Sequence, residues 1–281
     1  MSTDIPRLHG AESSPLGRPA AYRDTYAPEL LFPIERQLKR DELGLKPGAL
    51  PFVGEDLWNA YELSWLDLRG KPVVALAQFR VPASSPRLIE SKSLKLYLNA
   101  LNQQRCADVS AVQAMIECDL AAAAGAPVAV RIAPLAQRPQ RSSSYPQGFC
   151  LDRLELDIDT YEPAPAVLHA QGDEVSETLY SHLLKSNCLV TGQPDWGMLV
   201  VRYTGPAISR EALLRYVVSF RAHNEFHEQC VERVFCDILA RCRPRELAVW
   251  ARYTRRGGLD INPFRASHAG LRADEGMEVR Q

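Results

Sequence analysis

The stretch VERVFCDILARCRPRELAVWARY, residues 231–253, reads as a helix followed by a strand, and the same order occurs upstream in AMIECDLAAAAGAPVAVRI, residues 114–132. Val231, Val234, Phe235, Ile238 and Leu239 make an apolar stripe at the helical period. Cys118-Asp119-Leu120 falls on Cys236-Asp237-Ile238, and Ala122 on Ala240, at an offset of about 118 residues. The strand starting Val128-Ala129-Val130 falls close to Leu247-Ala248-Val249. Three matched residues could be chance. A shared order of strand, helix, helix, strand makes internal duplication the better reading.

Working outward, residues 72–81 (PVVALAQFRV) predict a strand. Leu94, Tyr97, Leu98 and Leu101 then recur at i, i+3, i+4 and i+7, which predicts an amphipathic helix. Val112, Met115, Ile116 and Leu120 mark a second helix, ended by Gly125 and Pro127, and residues 128–132 the next strand. In the second half the order is a strand at 198–203, a helix from about Ser209, the long stripe, and a strand at 247–253. Leu154, Leu156 and Ile158 alternate with charged residues and predict a half-buried strand, while 137–147 reads as a loop and 162–174 as a linker. Residues 1–50, rich in Pro, Gly and charge, read as an irregular arm. The expected class is α+β, with helices segregated on an antiparallel sheet, and the expected units are 51–165 and 166–281.

The formal net charge of −1 removes the electrostatic argument for nucleic acid or an acidic membrane as partner. No apolar run approaches the ~18 residues a membrane span requires, and the first twenty residues lack the layout of a secretory signal. Seven cysteines, an odd set with no export signal, fit reduced thiols in the cytoplasm. Cys230, Cys236 and Cys242 lie six apart, which rotates successive thiols by about 240° on a helix. No C-x-x-C pair occurs, so no metal site is expected.

Four segments could carry chemistry, and each has a plainer alternative. In SNCLVTGQPDWG, residues 186–197, Cys188 precedes a polar Gly- and Pro-containing turn, and Asp195 follows a proline that fixes its position. A thiol there could act as a nucleophile with Asp195 moving protons; the alternative is a structural cysteine beside a turn aspartate. In LIESKSLKLYL, residues 88–98, Ser91 and Lys92 at a helix start offer N–H groups and a cation to a phosphate, or form an ordinary capped start. In FHE, residues 226–228, Glu228 could accept two N–H bonds from an amidine-like edge and His227 could donate a proton, or Glu228 simply answers the helix dipole. In RRGGLDINP, residues 255–263, arginines before paired glycines suit a phosphate or a solvated hairpin end. Neither a Rossmann fingerprint nor a P-loop is present.

Taken together and in this order, the segments resemble the NADPH-dependent 7-cyano-7-deazaguanine reductases, in their long form with two tandem tunnelling-fold units, each an antiparallel sheet with two helices on one face. ESKSLKLYLN (90–99), SNCLVTGQPDWG (186–197), FRAHNEFHEQC (220–230) and YTRRGGLDINPFR (253–265) carry the resemblance, which covers essentially the whole chain without a departure at the key positions. It implies that Cys188 attacks the nitrile to form a covalent thioimide, that Asp195 donates protons, and that two hydride transfers from two NADPH give the primary amine used in queuosine biosynthesis. It places Ile89, Glu90, Ser91, His227 and Glu228 on the deazaguanine, and Ser91, Lys92, Arg256 and Gly257 on NADPH. It also implies a cytoplasmic homodimer. The first half lacks a Cys–Asp segment and the second lacks ESKS, so the site is expected where the units meet. A zinc cyclohydrolase of the same superfamily, a thiol hydrolase of nitriles and a non-catalytic purine-like ligand-binding module are the rivals.

Overall fold

The computed structural model describes residues 22–135, 146–274 and 276–281. In the first half, β1 (Pro33–Glu35) and the short helix α1 (Gln37–Arg40) precede the long strands β2 (Val53–Leu66) and β3 (Pro72–Pro82). Then come β4 (Arg87–Ile89), α2 (Ser91–Asn99), α3 (Val109–Ala124), β5 (Ala129–Pro134) and the two-residue β6 (Phe149–Cys150). The second half holds β7 (Ala170–Asn187), β8 (Pro194–Ile208), α4 (Arg210–Ser219), α5 (His227–Cys242), β9 (Glu246–Tyr253) and β10 (Leu259–Ala266). The order β2-β3-α2-α3-β5 thus recurs as β7-β8-α4-α5-β9.

Local chemistry sets the helix ends. Asp108 caps α3 by accepting from Ala111 N, and Gly125 closes it in the left-handed region at φ 70°. Ser209 caps α4 by accepting from Ala212 N, where the sequence predicts the start. The Asp of each matched triplet has the same partner in both halves. Tyr97 of α2 donates to Asp119 of α3 at 2.6 Å, and Tyr216 of α4 donates to Asp237 of α5 at 2.5 Å. Each helix pair is therefore pinned by one Tyr–Asp bond.

Eight strands form one sheet in the order β5-β3-β2-β10-β9-β8-β7-β6. Every pairing is antiparallel except the short β6–β7 contact. The halves join through β2 and β10, paired continuously from Ala60↔Leu259 to Val53↔Ala266. Alternation then decides the faces. Trp58 and Ile261 turn to the α2–α3 side, and Leu199, Val201, Val249 and Tyr253 pack under α4 and α5. Val200, Trp250 and Phe264 point the other way. Both helix pairs therefore lie on one face of the continuous sheet.

Between sheet and helices lies a buried charge network. Arg265 of β10 donates to Asp56 of β2 at 2.8 Å and to Glu232 of α5 at 2.9 Å. Arg40 of α1 donates to Glu232 at 2.7 Å, and Arg36 donates to Asp56. All five side chains are almost wholly excluded from solvent. Such groups tolerate burial only when mutually paired.

Three expectations need correction. Leu154, Leu156 and Ile158 do alternate in burial, but 154–158 is not a strand. Leu154 and Leu156 pack on the second-half core, and Arg215 of α4 donates to Asp157 O, so the segment is held by a helix rather than a ladder. The linker ends early, because β7 begins at Ala170. In the arm, residues 1–21 lie outside the described residues, but β1 pairs with β4 and Arg36 and Arg40 enter the network. The loop expected at 137–147 falls almost wholly outside the described residues.

Replacing Arg265 with Met strands Asp56 and Glu232 in the interior. Urea unfolding of Arg265→Met should show a loss of about 3–5 kcal/mol, the usual cost of breaking a buried pair from one side.

Candidate active site

Cys188 stands one residue beyond the last ladder pair of the β7–β8 hairpin, Asn187↔Pro194. Its N–H donates to Gln193 O at 2.8 Å, and its own carbonyl accepts from Gly192 N at 3.0 Å, so the tight turn fixes it at the hairpin base. Gly192 has φ 66°, which a side chain would strain. The end of β7 is also tied to the segment between α4 and α5. Asn187 N donates to His223 O at 2.8 Å, and Glu225 N donates to Asn187 O at 3.1 Å. These two bonds bring Cys188 to the start of α5, where His227 and Glu228 occupy the first turn.

The first half supplies the opposite wall. Ile89 ends β4, and Glu90 N donates to Phe32 O at 2.9 Å, so the arm's β1 segment holds the start of α2. Glu90, not Ser91, is the N-cap: its carboxylate accepts from Lys92 N at 2.6 Å and Ser93 N at 2.8 Å. Two of the backbone donors expected to greet a phosphate are therefore already taken. Ile89, Glu90 and Ser91 line a single cleft with Cys188, Asp195, His227, Glu228 and Arg256. Lys92 and Gly257 lie outside its lining, one residue further along their segments. Trp58, Glu225, Phe226 and Ile261 also line it, and the sequence reading assigned none of them a role. Glu225 adjoins FHE, Phe226 belongs to it and Ile261 lies in RRGGLDINP, while Trp58 reaches the cleft through the pairing of β2 with β10, which no single-chain pattern reveals. A larger hollow of about 1040 Å³ lies on the opposite face of the sheet and contains none of the predicted site residues.

The acids of the cleft are in different states. Burial pushes Glu228 up to about 7, with nearby Asp56 adding to the effect and His227 and Arg36 offsetting part of it. Burial likewise raises Glu90, against the pull of the Lys92 and Ser93 N–H groups. Asp195 is also buried, but His227 and Arg256 outweigh that and hold it below the ordinary carboxylate value. His227 Nε2 stands 3.6 Å from Asp195 Oδ1, its ring packed 4.0 Å from that of Tyr253. Arg256 pairs with Asp195 and with Gln193 Oε1, bridging the β9–β10 hairpin to the β7–β8 turn. Glu225 is pulled down to about 2, because hydrogen bonds from His223 and Arg233 overcome its burial.

Around the β9–β10 turn, Lys95 donates to Glu62 and to Gly257 O, and Arg255 lies over the Tyr61 ring at 4.1 Å. Gly257 has φ 58°, and a Cβ there would come within 3.0 Å of the Lys95 chain. A glycine turn with cations on both sides can receive an anionic group closely.

A buried thiol, an ionised carboxylate held by imidazole and guanidinium, and the three further buried acids Glu90, Glu225 and Glu228 thus share one cleft on an α+β frame. Residues 22–132 match the family model described as nitrile reductase, 7-cyano-7-deazaguanine-reductase N-term, and residues 194–270 match that of QueF-like protein. The NADPH-dependent 7-cyano-7-deazaguanine reductase of Azoarcus sp. is 72% identical over 98% of both chains. The proteins of the same name from Aromatoleum aromaticum and Dechloromonas aromatica are 68% and 61% identical, over 97% and 96% of both chains. The chain belongs to the 7-cyano-7-deazaguanine reductase family.

The state of Glu228 has a measurable consequence. Its folded pKa, about 7, lies above its ordinary value of 4.5, so between these the folded protein holds the extra proton. Stability is therefore lost as pH rises through this window, and the full penalty applies above pH 7. Glu228→Gln should be more stable than the parent at pH 8, by on the order of 2–3 kcal/mol. The gain should vanish toward pH 4.5, as chemical melts at several pH values will read.

Proposed function

We propose that this chain reduces the nitrile of 7-cyano-7-deazaguanine to the aminomethyl group, consuming two NADPH, with Cys188 as covalent nucleophile. The supporting observation is the convergence of Cys188, Asp195, His227, Glu228 and Glu90 from both halves into one cleft. The names of the relatives supply the substrate and the reductant.

Glu228 accepts the paired N–H donors of the deazaguanine's amidine-like edge. A buried carboxyl with a raised pKa has most to gain from such donors, because they satisfy the charge that burial disfavours. Ile89, Glu90, Ser91 and His227 complete that pocket. The Cys188 sulfur adds to the nitrile carbon while its proton leaves for the neighbouring base and then reaches the nitrile nitrogen, leaving a neutral thioimide. Asp195, ionised beside His227 and Arg256, is suited to take that proton first and return it afterwards. It can act as a donor only once it is neutral, which requires its pair with Arg256 to open. Ser91, Lys92, Arg256 and Gly257 would hold NADPH, which would supply one hydride to the thioimide carbon. The Cys188 thiolate would then leave, breaking the carbon–sulfur bond to give an imine kept in the cleft, and a second hydride and a proton would complete the amine. Enclosure in the cleft also keeps this hydrolysable imine from escaping between the reductions. The cation-flanked glycine turn supports that placement of NADPH.

The two halves, 51–165 and 166–281, are read as tandem tunnelling-fold units after the arm of 1–50. The recurring element order and the paired Tyr97–Asp119 and Tyr216–Asp237 bonds support this. The working form is read as a cytoplasmic homodimer whose product serves queuosine modification of tRNA. Among the described residues no helix is long and apolar enough to cross a membrane.

Intact mass spectrometry with the nitrile and no NADPH tests the chemistry. The parent should gain one substrate mass and Cys188→Ala none; an adduct that persists in the variant refutes the nucleophile. Oxidation of NADPH that depends on the nitrile separates a reductase from a thiol hydrolase. Glu228→Leu should weaken deazaguanine binding by at least about tenfold while leaving NADPH binding near the parent value, as calorimetry would show.

A further inference from the structure

Outside the cleft, at the β6–β7 edge, three different ligand types meet. The Cys150 sulfur, an Asp152 carboxylate oxygen and a ring nitrogen of His182 all lie within 4.8 Å of one another. None of the three lines the cleft of Cys188. Cys150 ends β6, Asp152 sits in the 3-10 turn Leu151–Arg153 that follows, and His182 lies on β7 where its pairing with β8 slips register between Ser181 and Leu184. The slip re-aims side chains at that point, as β-bulges do.

From this we propose a divalent transition-metal site, of zinc type, with Cys150, Asp152 and His182 as protein ligands and a water as the fourth. A tetrahedral zinc places its ligand atoms about 3.3–3.8 Å apart, so the observed spread closes by small side-chain rotations. The surroundings are those of a ligand set. Glu278, 3% exposed, accepts from His182 Nδ1 at 3.1 Å, and Arg280 fixes Glu278 through its guanidinium at 2.8 Å and its backbone N–H at 2.7 Å. A carboxylate on the outer nitrogen orients a ligating imidazole and raises the basicity of the other nitrogen. Asp152 is held by Ser181 Oγ at 2.6 Å and His182 N at 3.0 Å, which fixes its plane. The Tyr180 hydroxyl is hydrogen-bonded to Cys150 and is placed to donate to a thiolate there. On binding, Cys150 loses its thiol proton to solvent and forms the metal–sulfur bond. Thiolate and carboxylate then balance the dication, while Arg280 balances Glu278. Sulfur, imidazole and carboxylate in one set favour zinc over magnesium or calcium. A two-residue strand such as β6 is weakly held by its ladder alone, and the ion would staple it and its turn to β7 and the C-terminal segment.

Cobalt(II) is the probe. Metal-free full-length protein titrated with Co²⁺ should bind one equivalent with tetrahedral absorption and a thiolate-to-cobalt charge-transfer band. The band should be lost in Cys150→Ser and kept in Cys188→Ser. Glu278→Gln should keep the band but weaken binding roughly 10–100-fold, as loss of an outer carboxylate does. Circular dichroism of each variant in chelator checks folding, and His182→Gln should also lose tight binding if Cys150→Ser proves unstable. No band in the parent, a band surviving Cys150→Ser, or one that depends on Cys188 overturns the assignment.

Discussion

The organisation of this protein rests on the five buried charges that Arg36, Arg40, Asp56, Glu232 and Arg265 contribute. They come from the arm, from β2 of the first half, and from α5 and β10 of the second. Three guanidiniums face two carboxylates, which leaves the cluster with a formal excess of one positive charge. One nitrogen of Arg36, Nη1, has no hydrogen-bond partner among the described residues. Glu228, one helical turn before Glu232, adjoins this network, and both Asp56 and Arg36 act on its ionisation. Burial is the main cause of the raised proton affinity of Glu228, and the electrostatic knot that joins the halves adjusts it. Stability and site chemistry share one set of residues, so changes to the network should be felt in both.

The cleft itself follows from how the sheet is closed in the middle. Pairing of β2 with β10 brings the first-half segment that carries Glu90 alongside the second-half hairpins. Each half then contributes what the other lacks. Glu90 spends part of its hydrogen-bonding capacity capping α2, while Cys188 is located by the backbone of a tight turn. Both are positioned by main-chain contacts rather than by flexible side chains, an arrangement suited to chemistry that tolerates little misplacement.

The repeat was legible because its signals are local. Helical stripes, Gly and Pro stops and the Cys-Asp triplet are patterns within twenty residues of one another, and the structure gives the matched Asp the same Tyr partner in each half. The strands β2, β7 and β10 were missed. Most of β7 carries polar or charged residues, with an exposure pattern too irregular to read as alternation, and β10 hides in a segment read for its arginines and glycines. Leu154, Leu156 and Ile158 show the converse error. Their alternation was real, but a strand needs a free edge to pair with, and the segment packs beside α4 instead.

The sequence by itself determined the α+β class, the doubled order of elements, the four segments that meet in the cleft and, through resemblance, the family. These are encoded in short-range periodicity and in motifs whose residues are neighbours along the chain. Only the tertiary structure decided that both halves share one sheet and that Asp195 is ionised while Glu228 is not fully so. Those outcomes depend on burial and on charges brought from up to 209 positions away, as between Asp56 and Arg265. A pKa is set by surroundings in space, and no spacing along the chain contains them.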